Sequence, residues 1–116
     1  EKRAGLSLGS QDVYLNIAGG LKLSEPAVDL GIIATVASAY KNSSIPQNVV
    51  VMGEVGLTGE VRRINLIEKR LKEAEKLGFK KCIIPENNKK SLKDNYKLDI
   101  IGVKNIGEAL RNLGIK

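Results

Sequence analysis

Apolar residues recur along this chain with two different periods. In Asp12–Ala18, Val13, Leu15 and Ile17 alternate with other residues, the period-two signature of a strand with one buried face. Gly19-Gly20 breaks that run, and LKLSEP reads as a loop. Pro26 suits the first turn of a helix, with Ser24 or Glu25 near its cap. Ala27–Tyr40 (AVDLGIIATVASAY) then predicts a helix of small and apolar residues. Polar groups are sparse on every side of it, which predicts burial on more than one face. Val49-Val50-Val51 is a continuous β-branched run and reads as a strand covered on both faces. Leu66–Leu77 (LIEKRLKEAEKL) has helical spacing, with Ile67, Leu71, Ala74 and Leu77 as its apolar stripe. Glu68–Lys72 and Lys69–Glu73 are favourable pairs four residues apart, and Gly78 is a helix stop. Lys81–Ile84 and Leu98–Val103 read as strands, and Ile106–Leu113 as a last short helix.

The glycine-rich stretch Gly53–Val61 (GEVGLTGEV) invites comparison with a phosphate-binding loop. It lacks the Gly-Lys-Ser/Thr ending, and a strand-like segment follows it rather than a helix. It reads as a hairpin or bulged turn. The element order is therefore β-α-β-β-α-β-(α)-β-α, an α/β layered domain with a partly parallel sheet.

With 116 residues the chain suits one core, burying roughly two-thirds of its unfolded surface. Apolar residues make up 42% and charged ones 28%, a globular rather than a disordered balance. There is no histidine and one cysteine, Cys82. Histidine-dependent triads, histidine metal sites and intrachain disulfides are excluded. Cys82 lies mid-strand and reads as a buried hydrophobe. Asp29 and Glu54 have no ligand partners near them in sequence, so no metal site is expected. Asn42-Ser43-Ser44 matches a glycosylation sequon but reads as a turn. No apolar run is long enough to span a membrane. A free thiol and no export signal suggest the cytoplasm.

Charge is uneven. Residues 1–60 carry four basic and six acidic groups, a net of −2, whereas residues 61–116 carry fifteen and seven, a net of +8. Such asymmetry suits a nucleic-acid footprint, although a solvated lysine-rich surface gives the same count. Three Tyr, one Phe and no Trp argue against a stacking platform for single strands.

Two segments, VYLNIAGGLKLSEPAVDLGIIATVASAY and VVVMGEVGLTGEVRRINLIEKRLKEAEKLGFKKCIIP, resemble the C-terminal domain of the RadA (Sms) family of bacterial DNA repair proteins. They run from about Asp12 to Pro85. That domain is similar to the proteolytic domain of Lon protease, so the resemblance implies a Lon-like sandwich with a mixed sheet over 12–116. Residues 1–11 would be the remnant of an upstream helix or linker, and the fold would be truncated at its N-terminus, with an open sheet edge available to another copy.

Lon chemistry needs a serine nucleophile and a lysine base. The resemblance puts Ala27 at the nucleophile's place and Glu68 at the base's place, so both halves of the dyad are missing. Ser24, three residues before Ala27, and Lys69, about 100° around the helix from Glu68, would both have to shift to replace them. Ser24 reads instead as a cap or loop hydroxyl. The implied function is a catalytically dead platform that assembles into a ring, hexameric in the family, and contacts DNA. The family's RecA-type ATPase and zinc finger, with their ATP, Mg and Zn, have no counterpart motif here, so no cofactor is expected in this chain. Lys22, Arg62 and Arg63 are the candidates for DNA-backbone contact, with Lys69, Arg70 and Lys72 behind them. Exposed solubilising charge is the alternative for each. An active Ser-Lys peptidase and a purely structural module are the competing classes.

Overall fold

The computed structural model describes residues 26–115. The strand expected at Asp12–Ala18, the loop carrying Lys22 and Ser24, and residues 1–11 lie outside the described residues.

A 3-10 turn at Pro26–Val28 leads into α1 (Asp29–Tyr40). There follow β1 (Val49–Val51), β2 (Glu54–Val55), β3 (Val61–Arg62) and α2 (Ile67–Lys76). The chain closes with β4 (Lys81–Pro85), α3 (Glu86–Lys90), β5 (Asp99–Val103) and α4 (Ile106–Asn112). β1, β4 and β5 form a three-stranded parallel sheet in that order, with Val50 opposite Cys82 and Cys82 opposite Ile100. Parallel neighbours need crossovers; α2 lies in one and α3 in the other. β2 and β3 pair antiparallel as a separate hairpin. The layered α/β reading holds, with parallel and antiparallel pairing in different sheets. No described helix is long and apolar enough to cross a membrane.

The central strands carry the core. Val49, Val50 and Val51 are all buried, as a run covered on both faces requires. Cys82, Ile83 and Ile84 are fully buried beside them. α2 contributes Ile67, Leu71 and Ala74. Leu77, expected in that stripe, is exposed, because the helix ends at Lys76 and Leu77 is its C-cap. The expected Glu68–Lys72 pair is not formed either: Lys72 sits 3.5 Å from Asp94.

α1 departs from expectation. Leu30, Gly31, Ala34 and Ser38 are buried along one side, where the helix packs on β1, β2 and α4. Ile32, Val36 and Tyr40 form a second stripe at four-residue spacing, and Val36 and Tyr40 are 63% and 85% exposed. Small residues let one side close tightly, while nothing among the described residues covers the other.

The segment between β1 and β2 is sewn to the start of α1. Gly53 N–H donates to Ala27 O at 3.0 Å, and Leu30 N–H donates to Gly53 O at 2.9 Å. The Asp29 carboxylate accepts from Val55 N–H at 3.1 Å. A Cβ at Gly53 would stand 2.9 Å from Val61 Cγ1 and 3.3 Å from Leu30 Cδ2, so only glycine lets the two elements approach this closely. The hairpin expected in the glycine-rich stretch is present. Its turn is closed by Gly59 N–H on Gly56 O at 3.0 Å, with Gly59 at φ +86, a conformation glycine adopts without strain.

Candidate nucleic-acid interface

The hairpin does not stand alone. Val61 N–H donates to Lys104 O at 2.8 Å, and Ile106 N–H donates to Gly59 O at 3.0 Å. β3 is thereby held against the end of β5. From the other side, Asn88 on α3 is buried and clasps Ile64, just past β3: its Oδ1 accepts from Ile64 N–H at 2.9 Å and its Nδ2 donates to Ile64 O at 3.0 Å. Three segments far apart in sequence are fixed together at one place.

A groove of about 480 Å³ opens there. Val61 and Val103, both buried, line its apolar part. Arg62, Arg63, Lys90 and Lys104 stand around it, with Glu60 and Glu86 as the acidic members. Arg62 is not a free cation. Its Nη2 donates to Glu60 Oε2 at 2.7 Å and its Nε to the same oxygen at 3.1 Å. Glu60 also accepts from Thr58 Oγ1 at 2.5 Å and Thr58 N–H at 3.1 Å. The Thr58 hydroxyl, then Arg62, hold its carboxyl at a pKa of about 2, and the pair raises that of Arg62. Arg63 is exposed and makes no hydrogen bond or ion pair among the described residues, and the same is true of Lys90 and Lys104 side chains.

The structure brings Arg62 and Arg63 together but not the other candidate cations. Lys69 is exposed on α2 and Lys72 pairs with Asp94; neither lines the groove. Arg70 is a correction. It is buried, and its guanidinium turns back on its own chain, donating to Asn65 O at 2.9 Å and Asn65 Oδ1 at 2.7 Å. There it braces Leu66, which takes a left-handed conformation at φ 58 at the start of α2. A guanidinium closed over its own turn is not displayed to DNA. Lys22 lies outside the described residues. Lys90 and Lys104 were not singled out in the sequence. Lys90 sits in an Asn/Lys tract that reads as a solvated loop, and only the pairing of β3 with the β5 end brings Lys104 alongside Arg63.

The two positions assigned to a degenerate dyad are also accounted for. Ala27 is 1% exposed, in the turn that receives Gly53. Glu68 links α2 to the loop before β5: one carboxylate oxygen accepts from the Tyr96 hydroxyl, the other from Lys93 N–H at 3.1 Å. The Tyr96 bond, then that of Lys93, lower its pKa, which holds the group as a carboxylate. Cys82 is buried, and desolvation raises its thiol pKa well above the ordinary value.

Residues 2–88, about three quarters of the chain, match the family described as subunit ChlI of Mg-chelatase. The chain belongs to this family. Among curated proteins it is similar to DNA repair protein RadA of Listeria monocytogenes (50% identical over 111 residues), of Bacillus subtilis (51% over 111) and of Streptococcus pneumoniae (47% over 113). These alignments cover 96%, 96% and 97% of this chain, but 24%, 24% and 27% of the relatives. The chain thus spans about a quarter of the length of these relatives.

Proposed function

We propose that the chain is a non-proteolytic, Lon-like module of a RecA-type DNA repair ATPase, acting in recombination and branched-DNA processing. It holds DNA by the phosphate backbone and contributes to ring assembly. The observation that carries the DNA reading is Arg63: exposed, without a partner among the described residues, and set beside a groove ringed by further cations. Guanidinium groups bind phosphate without reading sequence. Lys69 remains a secondary contact on α2. Arg62 acts by shaping the hairpin with Glu60.

The reading as a dead protease rests on two side chains. Ala27 carries no nucleophilic atom and is buried. The Glu68 carboxylate is held by Tyr96 and Lys93, and the pKa they lower makes it a weak base in place of a lysine amine. An active peptidase would show serine-directed labelling at Ser24 that Ser24→Ala abolishes; no labelling is expected. ATP, Mg and Zn belong to other parts of such a protein, and its place is the cytoplasm.

Ring assembly, hexameric in this reading, is supported by the Ile32, Val36 and Tyr40 stripe, which no other described residue covers. The full-length protein lacking this domain should sediment without rings, and rings that persist would count against the role. For DNA, replacing Arg63 by Glu should weaken duplex binding at low salt. An unchanged affinity would remove Arg63 from the DNA contacts, and a wild-type chain that binds no duplex would leave a purely structural module.

A further inference from the structure

We propose that the groove between the hairpin and α3 is a seat for one phosphodiester backbone, and that Lys90 and Lys104 are direct phosphate contacts within it. This rests on the DNA-backbone reading above and says where on the domain the strand lies.

Three features carry it. The first is the charge left over once internal pairs are formed. Glu60 is neutralised by Arg62 at 2.7 Å and stays ionised far into acid. Arg63, Lys90 and Lys104 have no such partner among the described residues. Glu86 is the one acidic lining residue outside that pair, and its carboxylate lies against β5: a Cβ at Gly102 would meet Glu86 Oε1 at 2.1 Å. Among the described residues, three cations without an ion pair stand against one carboxylate, a local positive surplus that favours an anion.

The second feature is rigidity. Lys104 is tied to β3 through its own carbonyl, which accepts from Val61 N–H. Lys90 rides on the helix that Asn88 pins to Ile64. The backbone positions that carry these cations are therefore fixed before any ligand arrives, and only their side chains remain to be ordered on binding.

The third feature is what the lining lacks. No aromatic residue is among the lining residues, so the lining offers no ring for a base to stack on, and its cations suit the phosphates instead. A groove of about 480 Å³ takes a stretch of one strand, not a whole duplex. That strand can come from single-stranded DNA or from one side of a duplex.

The test is binding of the 116-residue chain to a labelled 20-nucleotide strand and to the matching duplex, by fluorescence anisotropy between ~50 and ~200 mM salt, the range over which phosphate contacts weaken. The variant K90Q/K104Q removes two groove cations. The control K41Q/K76Q removes two exposed lysines that do not line the groove and changes net charge equally. Two lost phosphate contacts should reduce the slope of log K against log salt by about 1.8 on duplex or about 1.4 on a single strand. On duplex, that is about a 12-fold smaller loss of affinity over a fourfold rise in salt. The substrate that shows the drop identifies the source of the strand, and the control slope should stay at the wild-type value. Equal slopes for the groove variant and the control, with wild type binding normally, would overturn the groove while sparing the broader DNA reading. Failure of the wild type to bind either DNA at the lowest salt would overturn both.

Discussion

Asn88 holds both backbone polar groups of Ile64, taking its N–H at 2.9 Å and giving an N–H to its carbonyl at 3.0 Å. This amide clasp fixes the chain leaving β3 to α3, and so fixes one wall of the groove. Replacing Asn88 by Ala would leave a buried donor and acceptor unpaired, each costing about 1–3 kcal/mol. Chemical denaturation should show a loss of about 2–4 kcal/mol. A change under half a kilocalorie would mean that the clasp is not a stabilising contact.

The Glu60 carboxyl should titrate far into acid. Its pKa falls from 4.5 to about 2 through the Thr58 hydroxyl and Arg62. A depressed folded value means the stabilisation is complete above about 4.5 and is lost as pH falls toward 2. Carboxyl NMR should find Glu60 still ionised near pH 3, and Thr58→Ala should move its midpoint upward. A wild-type midpoint near 4.5 would show that the hairpin network does not exist in solution.

Leu66 sits at φ 58 and ψ 33 with most of its side chain exposed. An L-residue in this region costs about 1–2 kcal/mol, and glycine would regain most of that, less about 0.5–1 kcal/mol of chain entropy. Leu66→Gly should therefore raise stability by about 0.5 kcal/mol. A clear loss would mean that Leu66 makes contacts worth more than its strain.

Cys82 is sealed in the central strand and its thiol pKa is raised by desolvation. The thiolate is the reactive form, so iodoacetamide at pH 8 should label Cys82 only when the chain unfolds globally. Labelling within minutes under native conditions would contradict the packing of β4 between β1 and β5.

Local patterns were legible because their causes are local. The Val49–Val51 run announced a doubly covered strand. The spacing of Ile67, Leu71 and Ala74 announced the buried face of α2, and the glycines around Leu57 announced a hairpin. Pairings across the fold left no such mark. Asn88 reads as one more polar residue in a lysine-rich tract until α3 brings it under Ile64. Arg70 looks like any exposed helix cation until the left-handed turn at Leu66 offers it Asn65. Lys104 becomes a neighbour of Arg63 only through the β3–β5 contact, and Lys90 through the clasp of Asn88 on Ile64. The apolar composition of α1 spoke for burial on more than one face, but composition cannot say which faces the rest of the chain reaches.

The central claim is that this domain grips DNA through phosphate contacts. The most direct measurement is the affinity of the wild-type chain for duplex DNA at ~50 and ~200 mM salt. Binding at the lower salt that weakens steeply at the higher one is the predicted result. No binding at the lower salt, or an affinity indifferent to salt, would contradict it.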